Sequence, residues 1–460
     1  MPTIVIETHG CKLNQADSQA LARGFAESGY QVVDFGEPPD VYVLDTCTVT
    51  KMADRKARQA LRAARRRNPK ALIVATGCYA QRDSAALASF PEVDLVLGNT
   101  NKDRLVREVV LLMEEAFGPC AIGETHFNGS AHRTRAMVRI QEGCNQVCAY
   151  CIVPTVRGRE RSIPIDALVT QVLTLEDEGF QEVVLTGTQL GSYGFDVPGS
   201  SLVRLLEAML NQTTISRIRV SSIQPQEMGE DLLGLWQDSR LCPHFHMPLQ
   251  SGSNTVLRRM RRRYTTDLFA HTVARVRALI PDASITTDML TGFPGESDKE
   301  FQETYRFCQD IRFSDMHIFP YSRRPSTSAA YFQDKVDAAT KSQRSKLLIQ
   351  LAEEHAREFR GGLLGQIRPV LWEGGGAGHY KGRWSGLTDN YVRVHADDRR
   401  SLGNTITGTR LMQKHDGSVY GQVVGLPQAP DRFLGFPETS TRVSVWPSLS
   451  ADVSETLGPR

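Results

Sequence analysis

The chain has 460 residues, 40% of them hydrophobic and 23% charged, and it carries a formal net charge of +2. This length allows two to four domains, each with its own core, and the near-zero charge means that any affinity for nucleic acid must come from local basic patches. The N-terminus MPTIVIETHG lacks the basic and apolar regions of a secretory signal, and no apolar run reaches membrane-spanning length, so we expect a cytoplasmic protein with no membrane partner.

The first region, residues 1–117, alternates strand-like and helix-like segments. The strand-like runs are TIVIE, VYVLD, ALIVAT and VDLVLG. Helical patterns begin near Gln15, Lys51, Gln81 and Lys102. This alternation is typical of a parallel sheet covered by helices, so the region is predicted to be an α/β domain.

Three cysteines of this region follow successive predicted strands. Cys11, Cys47 and Cys78, the first cysteine set, each come just after the carboxyl end of a strand and before a helix. The carboxyl ends of parallel strands share one edge of a sheet, where ligands bind, so the three thiols can converge there. Helix N-termini also favour thiolates and anionic clusters. The alternative is that each cysteine is simply a small buried hydrophobic residue.

A linker rich in Gly, His and Thr at residues 118–135 leads to a second βα series at residues 136–361. Its predicted strands end at RIQE, EVVLTG, RIRVSS, HFHMP, SITTDM and MHIFPY. Six such units predict a partial barrel, (β/α)6, related to the eight-stranded TIM form. In that architecture the functional groups lie at the carboxyl ends of the strands.

A cysteine triplet follows the first strand of this series. Cys144, Cys148 and Cys151, the second cysteine set, form a C-x3-C-x2-C pattern with no fourth cysteine in the same loop. Three thiolates leave one iron of a 4Fe-4S cluster open to a small ligand, and open metal positions perform chemistry. Zinc normally requires a matching second pair of ligands, which is absent here. A zinc site or inert thiols remain the alternatives.

A charged helix from about Lys335 to Arg360 precedes a small domain at residues 362–428. Its short strand patterns are QIRPVLWE, GRWSGL, YVRVHA, TITGTRLM and VYGQVV. Short strands separated by turns predict a small β-barrel. The tail at residues 429–460 is rich in Pro and Ser and is predicted to be poorly ordered.

The triplet, with Tyr150 before its last cysteine, resembles the signature of radical S-adenosylmethionine (SAM) enzymes. Longer motifs, within residues 3–428, look like the methylthiotransferase branch of that superfamily. They are GCKLNQADSQ, DTCTVTKMADRKARQALRAARRRNP, TGCYAQ, EGCNQVCAYCIVPTVRGRERS, EVVLTGTQLGSYG, HMPLQSGSNTVLRRMRRRYT, TTDMLTGFPGE and HIFPYSRRPSTSAA.

The resemblance implies SAM and two 4Fe-4S clusters as cofactors. The second cysteine set would hold the cluster that cleaves SAM to a 5′-deoxyadenosyl radical, and SAM would also donate the methyl group. The first cysteine set would hold another cluster that supplies or docks the inserted sulfur. An external electron donor and a sulfur donor are implied as partners.

Three substrate groups are known in this branch, and two of them are tRNA adenosines. The segments CKLNQ, TCTVTKMADRKARQ and FPYSRRPSTSAA are most similar to the group that acts on N6-threonylcarbamoyladenosine. That similarity implies methylthiolation at C2 of the adenosine beside the anticodon. The alternatives are N6-isopentenyladenosine in tRNA, an aspartate of a ribosomal protein, and a two-cluster electron carrier without this enzyme activity.

Four residues at or near the strand ends are predicted to form the SAM pocket. Tyr150 is expected to contact the adenine of SAM, although an aromatic residue here is also compatible with core packing. Gly187, Ser222 and Gln250 lie in polar junctions after predicted strands. Taken singly, each junction is also compatible with an ordinary turn.

Two basic runs and the small barrel are predicted to contact RNA. The runs comprise Arg258, Arg259, Arg261, Arg262 and Arg263, and Arg62, Arg65, Arg66, Arg67 and Lys70. Phosphates would be their partners, and solvated helix faces are the alternative.

The small barrel resembles the TRAM domain, an RNA-binding fold. In it, Lys381, Arg383 and Arg393 would contact phosphates, while Trp384 and Tyr391 would stack on bases. The alternative is that both aromatic residues fill the core of the small barrel.

The chain departs from the family pattern at three places. Asp45 stands where Asn is usual, RSIP replaces RSRP, and SRRPST replaces SRRxGT. Asp45 is two residues from Cys47, so its charge is expected to alter the potential of a cluster held there.

Overall fold

The computed structural model describes residues 1–33, 38–117, 134–375, 382–415 and 417–425. The described residues belong to one compact unit, Met1–Pro427. The predicted tail at 429–460 lies outside the described residues, as does the predicted linker at 118–135 except for its last two residues. Of those two, Arg135 opens a strand.

The N-terminal region is an α/β sheet of five parallel strands in the order β2-β1-β3-β4-β5. The strands are β1 (Thr3–Thr8), β2 (Gln31–Val32), β3 (Val41–Thr46), β4 (Leu72–Thr76) and β5 (Leu95–Gly98). The helices are α1 (Lys12–Glu27), α2 (Lys51–Arg67), α3 (Gly77–Arg82), α4 (Ser84–Ala88), a 3-10 helix (Asn99–Arg104) and α5 (Leu105–Phe117). The sequence predicted this architecture but not the two-residue edge strand β2.

Alternate side chains of the central strand enter two separate cores. Val41 and Val43 pack on the side of α1 and α5, whereas Tyr42 and Leu44 pack on the side of α2. All six residues of β3 are buried. A near-continuous buried strand is what a parallel sheet covered on both faces requires.

The second region is the predicted partial barrel of six parallel strands. They pair as β10-β9-β6 and β11-β12-β13, and a parallel bridge between Ser222 and His246 joins the two triplets. The strands are β6 (Arg135–Arg139), β9 (Glu182–Thr186), β10 (Arg217–Val220), β11 (His244–His246), β12 (Ser284–Thr291) and β13 (Asp315–Pro320), with a hairpin of β7 (Gln141–Glu142) and β8 (Arg161–Ser162).

Helices cover the outer face of this barrel and bury one large apolar core, which includes Leu168, Leu205 and Phe269. The helices of this region are α6 (Val153–Arg157), α7 (Ile165–Asp177), α8 (Leu202–Gln212), α9 (Glu230–Gly234), α10 (Asn254–Arg259), α11 (Thr266–Leu279) and α12 (Asp298–Ile311), of which α6 packs beside the N-terminal sheet. Short 3-10 helices occupy Leu190–Ser192, Pro225–Glu227, Leu235–Gln237 and Ser328–Tyr331.

The long helix α13 (Ala338–Gly362) leads into a closed five-stranded barrel, which the sequence also predicted. The strand order is β14-β15-β16-β18-β17. The strands are β14 (Ile367–Gly375), β15 (Arg383–Thr388), β16 (Arg393–Asp397), β17 (Ile406–His415) and β18 (Ser418–Val423). Trp372 is fully buried at its centre, and its indole nitrogen donates to Thr407 Oγ1 at 2.8 Å.

Two buried arginines of β10 join the partial barrel to the closed barrel. Arg217 Nη1 donates to the Leu387 carbonyl at 3.1 Å, and Arg219 Nη1 donates to the Asp389 carbonyl at 2.8 Å. Both arginines also pair with Glu182. Burial alone would raise the pKa of Glu182, but the arginines lower it to about 2. The closed barrel therefore covers the amino-terminal end of the partial barrel, opposite the mouth that carries the second cysteine set.

In the described part of the chain, no helix combines the length and the apolar character needed to cross a membrane.

Candidate functional site

The first cysteine set lies at the carboxyl edge of the N-terminal sheet, on three neighbouring strands. Cys11 is the N-cap of α1, Cys47 follows β3, and Cys78 lies in the first turn of α3 after β4. Because β1, β3 and β4 are adjacent in the sheet, the three junctions are contiguous. A Cβ on Gly10, which has φ +115°, would lie 2.8 Å from the Cys47 Cβ, so this close approach requires glycine.

The environment of these thiols differs from one to the next. Cys47 and Cys78 are buried, whereas Cys11 is exposed. Burial raises the pKa of the Cys47 thiol to about 12, and neighbouring Cys78 and Cys11 add to that rise. Burial likewise raises the pKa of Cys78, against the charge of Arg157. As free thiols both buried cysteines are protonated at neutral pH, and binding of iron would release their protons.

The second cysteine set lies in the loop between β7 and α6, at the mouth of the partial barrel. The Gln146 backbone nitrogen donates to Cys144 Sγ at 3.4 Å, and Arg262 Nη1 donates to Cys148 Sγ at 3.4 Å. Burial raises the pKa of Cys144 to about 11 and that of Cys151 to about 12. A backbone amide and a guanidinium directed at these sulfurs would stabilise thiolates or an anionic cluster.

The two cysteine sets border the same interface between the N-terminal sheet and the partial barrel. Cys78 packs in a small buried cluster with Ile152 and Val156, which follow the second cysteine set. Asn99 Nδ2 donates to Cys78 Sγ at 3.5 Å and to the Val156 carbonyl at 2.9 Å. A cofactor on one set would therefore lie close to a cofactor on the other.

The spacing of the sulfurs distinguishes between the two metals considered for these sets. A zinc ion with Zn–S bonds of about 2.3 Å holds its sulfurs roughly 4 Å apart. Among the described residues, neither set brings its three sulfurs within 4.8 Å of one another. Three thiols spread more widely suit a larger iron–sulfur cluster better than a single ion, with the fourth corner left for another ligand.

Asp45, which lies two residues before Cys47, pairs with a buried lysine. Lys102 Nζ lies 3.0 Å from Asp45 Oδ2 and 3.0 Å from Asp17 Oδ2. Asp17 also pairs with Arg139 at 2.9 Å and with Arg157 at 3.0 Å. Burial raises the pKa of Asp45 despite Lys102, whereas the cations around Asp17 outweigh burial and lower its pKa.

We expect the substitution Asp45→Asn to be nearly neutral and Asp17→Asn to be costly. Lys102 still has Asp17 as an ion-pair partner when Asp45 loses its charge, so the expected loss in unfolding free energy is about 1 kcal/mol or less. Asp17→Asn weakens three ion pairs at once, and we expect a loss of about 3 kcal/mol. Urea unfolding of both variants under anaerobic conditions checks the order. An equal or larger loss for Asp45→Asn would show that Asp45 is the main partner of Lys102.

The three small or polar residues predicted for the SAM pocket all lie at the carboxyl ends of barrel strands. A Cβ on Gly187 would lie 2.9 Å from the Gln141 carbonyl, so no side chain fits there. Ser222 forms the bridge to His246. Gln250 adopts φ +68° and pairs through its backbone with β12. Their contact with SAM stays a prediction.

Tyr150 packs into an apolar cluster beside the second cysteine set. Its ring meets Phe293 edge to face, with centroids 6.4 Å apart. Burial raises the pKa of its hydroxyl, while the charge of Arg262 acts in the opposite direction. This position agrees with the packing alternative, and the proposed contact with the adenine of SAM stays a prediction.

A group of polar side chains at the barrel mouth was not identified from the sequence. Gln141 Oε1 accepts a hydrogen bond from the backbone nitrogen of Gln189 at 3.0 Å. Gln224 Nε2 donates to Gln189 Oε1 at 2.5 Å and to Gln146 Oε1 at 3.2 Å, and Gln189 Nε2 donates to Glu227. The group links the loop of the second cysteine set to the ends of β9 and β10, where amide and carboxylate groups suit the polar methionine end of SAM.

The structure contradicts the prediction that both basic runs face RNA as a whole. Arg262 turns inward to Cys148, and Arg259 pairs with Glu300 at 2.7 Å. Arg65 donates to backbone carbonyls and pairs with Asp94. The remaining exposed members are Arg258, Arg261, Arg263, Arg62, Arg66, Arg67 and Lys70.

The residues predicted to bind RNA on the closed barrel also have mixed outcomes. Lys381 lies outside the described residues, and Arg383 is exposed but pairs with Asp397 at 3.6 Å. Arg393 is not an open phosphate contact, because it is half-buried and pairs with Glu373. Trp384 packs partly into the core of the closed barrel, as the alternative stated.

Tyr391 was predicted to stack on bases, but it faces the inside of the partial barrel. Its ring stacks on His244 with centroids 4.4 Å apart and an interplanar angle of 1°. The Arg219 guanidinium lies 4.9 Å from the centre of the same ring. Tyr391 therefore forms part of the floor of the partial barrel.

Two imidazoles and a carboxylate form a further polar group on the inner wall of the partial barrel. His246 Nε2 lies 3.2 Å from Asp288 Oδ2, and His317 Nδ1 lies 3.3 Å from Asp288 Oδ1. Thr286 Oγ1 lies 2.9 Å from the other ring nitrogen of His246. Within the described ranges, this is the group whose ligand atoms are close enough together for a single metal ion.

Protein-family models match two segments of the chain. Residues 3–98 match the Uncharacterized protein family UPF0004, and residues 138–308 match the Radical SAM superfamily. The two segments contain the first and the second cysteine set, respectively.

Curated relatives cover most of the chain. A threonylcarbamoyladenosine tRNA methylthiotransferase MtaB of Aquifex aeolicus (strain VF5) is 40% identical over 418 residues, which cover 88% of this chain and 98% of that protein. The MtaB of Bacillus subtilis (strain 168) is 37% identical, with coverage of 86% and 90%. A tRNA-2-methylthio-N(6)-dimethylallyladenosine synthase of Pelotomaculum thermopropionicum is 35% identical, with coverage of 87% and 94%.

Among solved structures, the radical S-adenosylmethionine methyltransferase TsrM of Kitasatospora setae has a similar fold. Its TM-score is 0.52 at 13% identity, and the alignment covers 72% of this chain and 75% of TsrM. At this identity the similarity concerns the fold alone.

Proposed function

Because the chain belongs to the radical SAM methylthiotransferase family, we propose that it methylthiolates C2 of N6-threonylcarbamoyladenosine beside the anticodon of tRNA. That it is a methylthiotransferase acting on tRNA follows from its relatives. The choice of adenosine is our proposal. Two relatives named for threonylcarbamoyladenosine are 40% and 37% identical, whereas the first relative named for dimethylallyladenosine is 35% identical.

The observation that carries the proposed chemistry, as distinct from the choice of adenosine, is the meeting of two three-cysteine sets at one interface. A 4Fe-4S cluster on the second set would supply the electron that cleaves SAM when bound, and a cluster on the first set would supply or dock sulfur. The contact of Cys78 with Ile152 and Val156 supports a transfer between neighbouring sites. An external electron donor and a sulfur donor complete the reaction.

The chain's own residues would position and polarise these groups. Arg262 donates to Cys148 Sγ, and its positive charge would help to balance the negative charge of a cluster held there. The polar group around Gln189 and Gln224 supplies donors and acceptors for the amino and carboxylate groups of SAM. The buried Arg157 joins the loop of the second set to α1, which begins beside Cys11.

We assign the proposed tasks to three domains with the boundaries expected from the sequence. Residues 1–117 would hold the sulfur-donating cluster, residues 136–361 would bind SAM, and residues 362–428 would form a TRAM-like barrel that contacts tRNA. Of the residues predicted to contact RNA on this barrel, Tyr391 and Arg393 point inward, whereas Arg383 is exposed and pairs with Asp397 at 3.6 Å.

Mass spectrometry of tRNA nucleosides from a deletion strain tests the substrate. We expect loss of 2-methylthio-N6-threonylcarbamoyladenosine and accumulation of its unmethylthiolated precursor, both reversed by the wild-type gene. A Cys148→Ala gene provides the matched control and should fail to restore the product. Loss of the methylthio-isopentenyl nucleoside instead would refute the proposed substrate. Intact tRNA with an unmodified ribosomal aspartate would favour the protein-directed alternative.

A further inference from the structure

The inside of the partial barrel carries an excess of positive charge. Arg135 pairs with Glu373 at 2.6 Å, and Arg219 pairs with Glu182 at 2.8 Å. Glu182 is shared with a second arginine of β10, and Glu373 is shared with Arg393. Among the described residues, these two carboxylates are therefore already shared between arginines, and little of the charge of Glu182, which also acts on Lys12, is left to balance a further cation.

Lys12 adds such a cation. It is the first residue of α1 and follows Cys11 directly, and its Nζ lies 5.6 Å from the centre of the Tyr391 ring. No acidic side chain of the described residues lies within ion-pair distance of it, and its ammonium lies over this ring instead. The same positive charges act on the Tyr391 hydroxyl. Burial alone would raise its pKa, but Lys12, Arg135 and Arg219 lower it.

The nearby group of His246, Asp288 and His317 has the donor atoms of a divalent metal site. Two features oppose that use. Asp288 already accepts hydrogen bonds from both imidazoles, and the positive charge of Lys12 acts on His317. A cavity wall with surplus positive charge attracts an anion more readily than a second cation.

The N6 substituents of the two candidate adenosines differ in whether they carry a negative charge. A threonylcarbamoyl group ends in a carboxylate and a hydroxyl, whereas an isopentenyl group is a hydrocarbon. N6 and the target C2 flank N1 on one edge of adenine, so a substituent on N6 extends from the same edge that must approach the cysteine sets. Resting on the proposed function, we infer that the Lys12 ammonium binds the carboxylate of the threonylcarbamoyl group inside the partial barrel and makes the enzyme select this adenosine.

The cost of the wrong substrate follows from the same geometry. A hydrocarbon placed beside Lys12 would keep water from its ammonium and give it no acceptor in return. Sites built around a polar group reject ligands that lack its partner far more strongly than apolar pockets reject an extra group. Lys12 is thus a specificity residue and takes no part in cleaving SAM.

The test compares three anticodon stem-loop RNAs that carry threonylcarbamoyladenosine, its methyl ester or isopentenyladenosine. With the reconstituted wild-type enzyme, we expect kcat/KM for methylthiolation to be about 10- to 100-fold higher for the acid than for the ester. In the Lys12→Met variant this preference should fall to within about threefold. Lys51→Met is the matched control, since Lys51 is the exposed first residue of α2, and it should keep the wild-type preference.

The outcomes separate this inference from the proposed function. A wild-type enzyme that modifies the isopentenyl RNA and not the acid would refute the proposed function. Equal modification of acid and ester by the wild-type enzyme would overturn the role of Lys12 alone, even if the variant fails to fold. Retention of the preference in Lys12→Met protein with full iron content would overturn it as well. Loss of the preference on chelation of a divalent metal would assign carboxylate binding to the histidine group instead.

Discussion

Replacing Cys148 with alanine is expected to abolish formation of 5′-deoxyadenosine from SAM. Cys148 is the middle member of the second cysteine set and receives a hydrogen bond from Arg262, and two remaining thiols are too few to hold a 4Fe-4S cluster with one open iron. The first cysteine set is on a different sheet and should keep its cluster. Anaerobic reconstitution should therefore give about four irons per chain in the variant and about eight in the wild type. Chromatography of the nucleosides after reduction measures the activity.

Cys308→Ala is the matched control for this experiment. Cys308 is fully buried in α12 among apolar side chains of the barrel core, and burial raises its pKa to about 12. The Cys308→Ala protein should keep both the wild-type iron content and the ability to cleave SAM. Persistent 5′-deoxyadenosine formation by the Cys148→Ala protein would contradict the assignment of the second cysteine set.

Arg157→Ala is expected to cause a large loss of stability. Its side chain is 3% exposed, and its guanidinium donates to Asn14 at 2.7 Å, Asp17 at 3.0 Å and Glu142 at 2.9 Å. Removing one partner of a buried charge network leaves the others desolvated, which costs about 3–5 kcal/mol. Urea unfolding measures the total loss, and hydrogen exchange should show the first opening in α1 and α6.

Arg161→Ala provides the comparison, because Arg161 pairs with the same Glu142 at 3.4 Å but its side chain is 64% exposed. An exposed pair contributes about 1 kcal/mol or less. Similar losses for the two variants would mean that Arg157 acts through Glu142 alone and does not join α1 to the partial barrel. Iron content should also fall in Arg157→Ala, because the guanidinium opposes the raised pKa of Cys78.

Local patterns predicted most of the fold. The buried run VYVLD became β3, and the alternation of strands and helices gave both parallel architectures. β2 was missed because two residues, Gln31 and Val32, carry no periodicity. The start of α1 was placed near Gln15, three residues late, because Cys11 gives no side-chain hydrogen bond to the first turn and so lacks the usual capping signal.

The candidate site was predicted where the topology alone determines it. Cysteines after parallel strands must share an edge, so the position of the first set followed from the strand pattern. The partners of these cysteines did not follow. Lys102 reaches Asp45 across 57 residues of chain, and Arg262 reaches Cys148 across 114. In the sequence, Arg262 is one arginine in a basic run, and nothing local separates the inward member from the exposed ones.

Tyr391 illustrates the same limit. Aromatic and basic residues close together on a small barrel resemble an RNA-binding surface, and the sequence does not show that another domain covers that end. The stack on His244 and the φ of +71° at Tyr391 arise from contacts between regions far apart in the chain.

The carbonyls that accept Arg217 and Arg219 come from the closed barrel. In a chain truncated after Gly362, both guanidinium groups would lose these acceptors, and the amino-terminal end of the partial barrel would be exposed to solvent. The closed barrel thus stabilises the amino-terminal end of the partial barrel through these hydrogen bonds. We therefore expect a chain that ends at Gly362 to be less stable than one that includes the closed barrel.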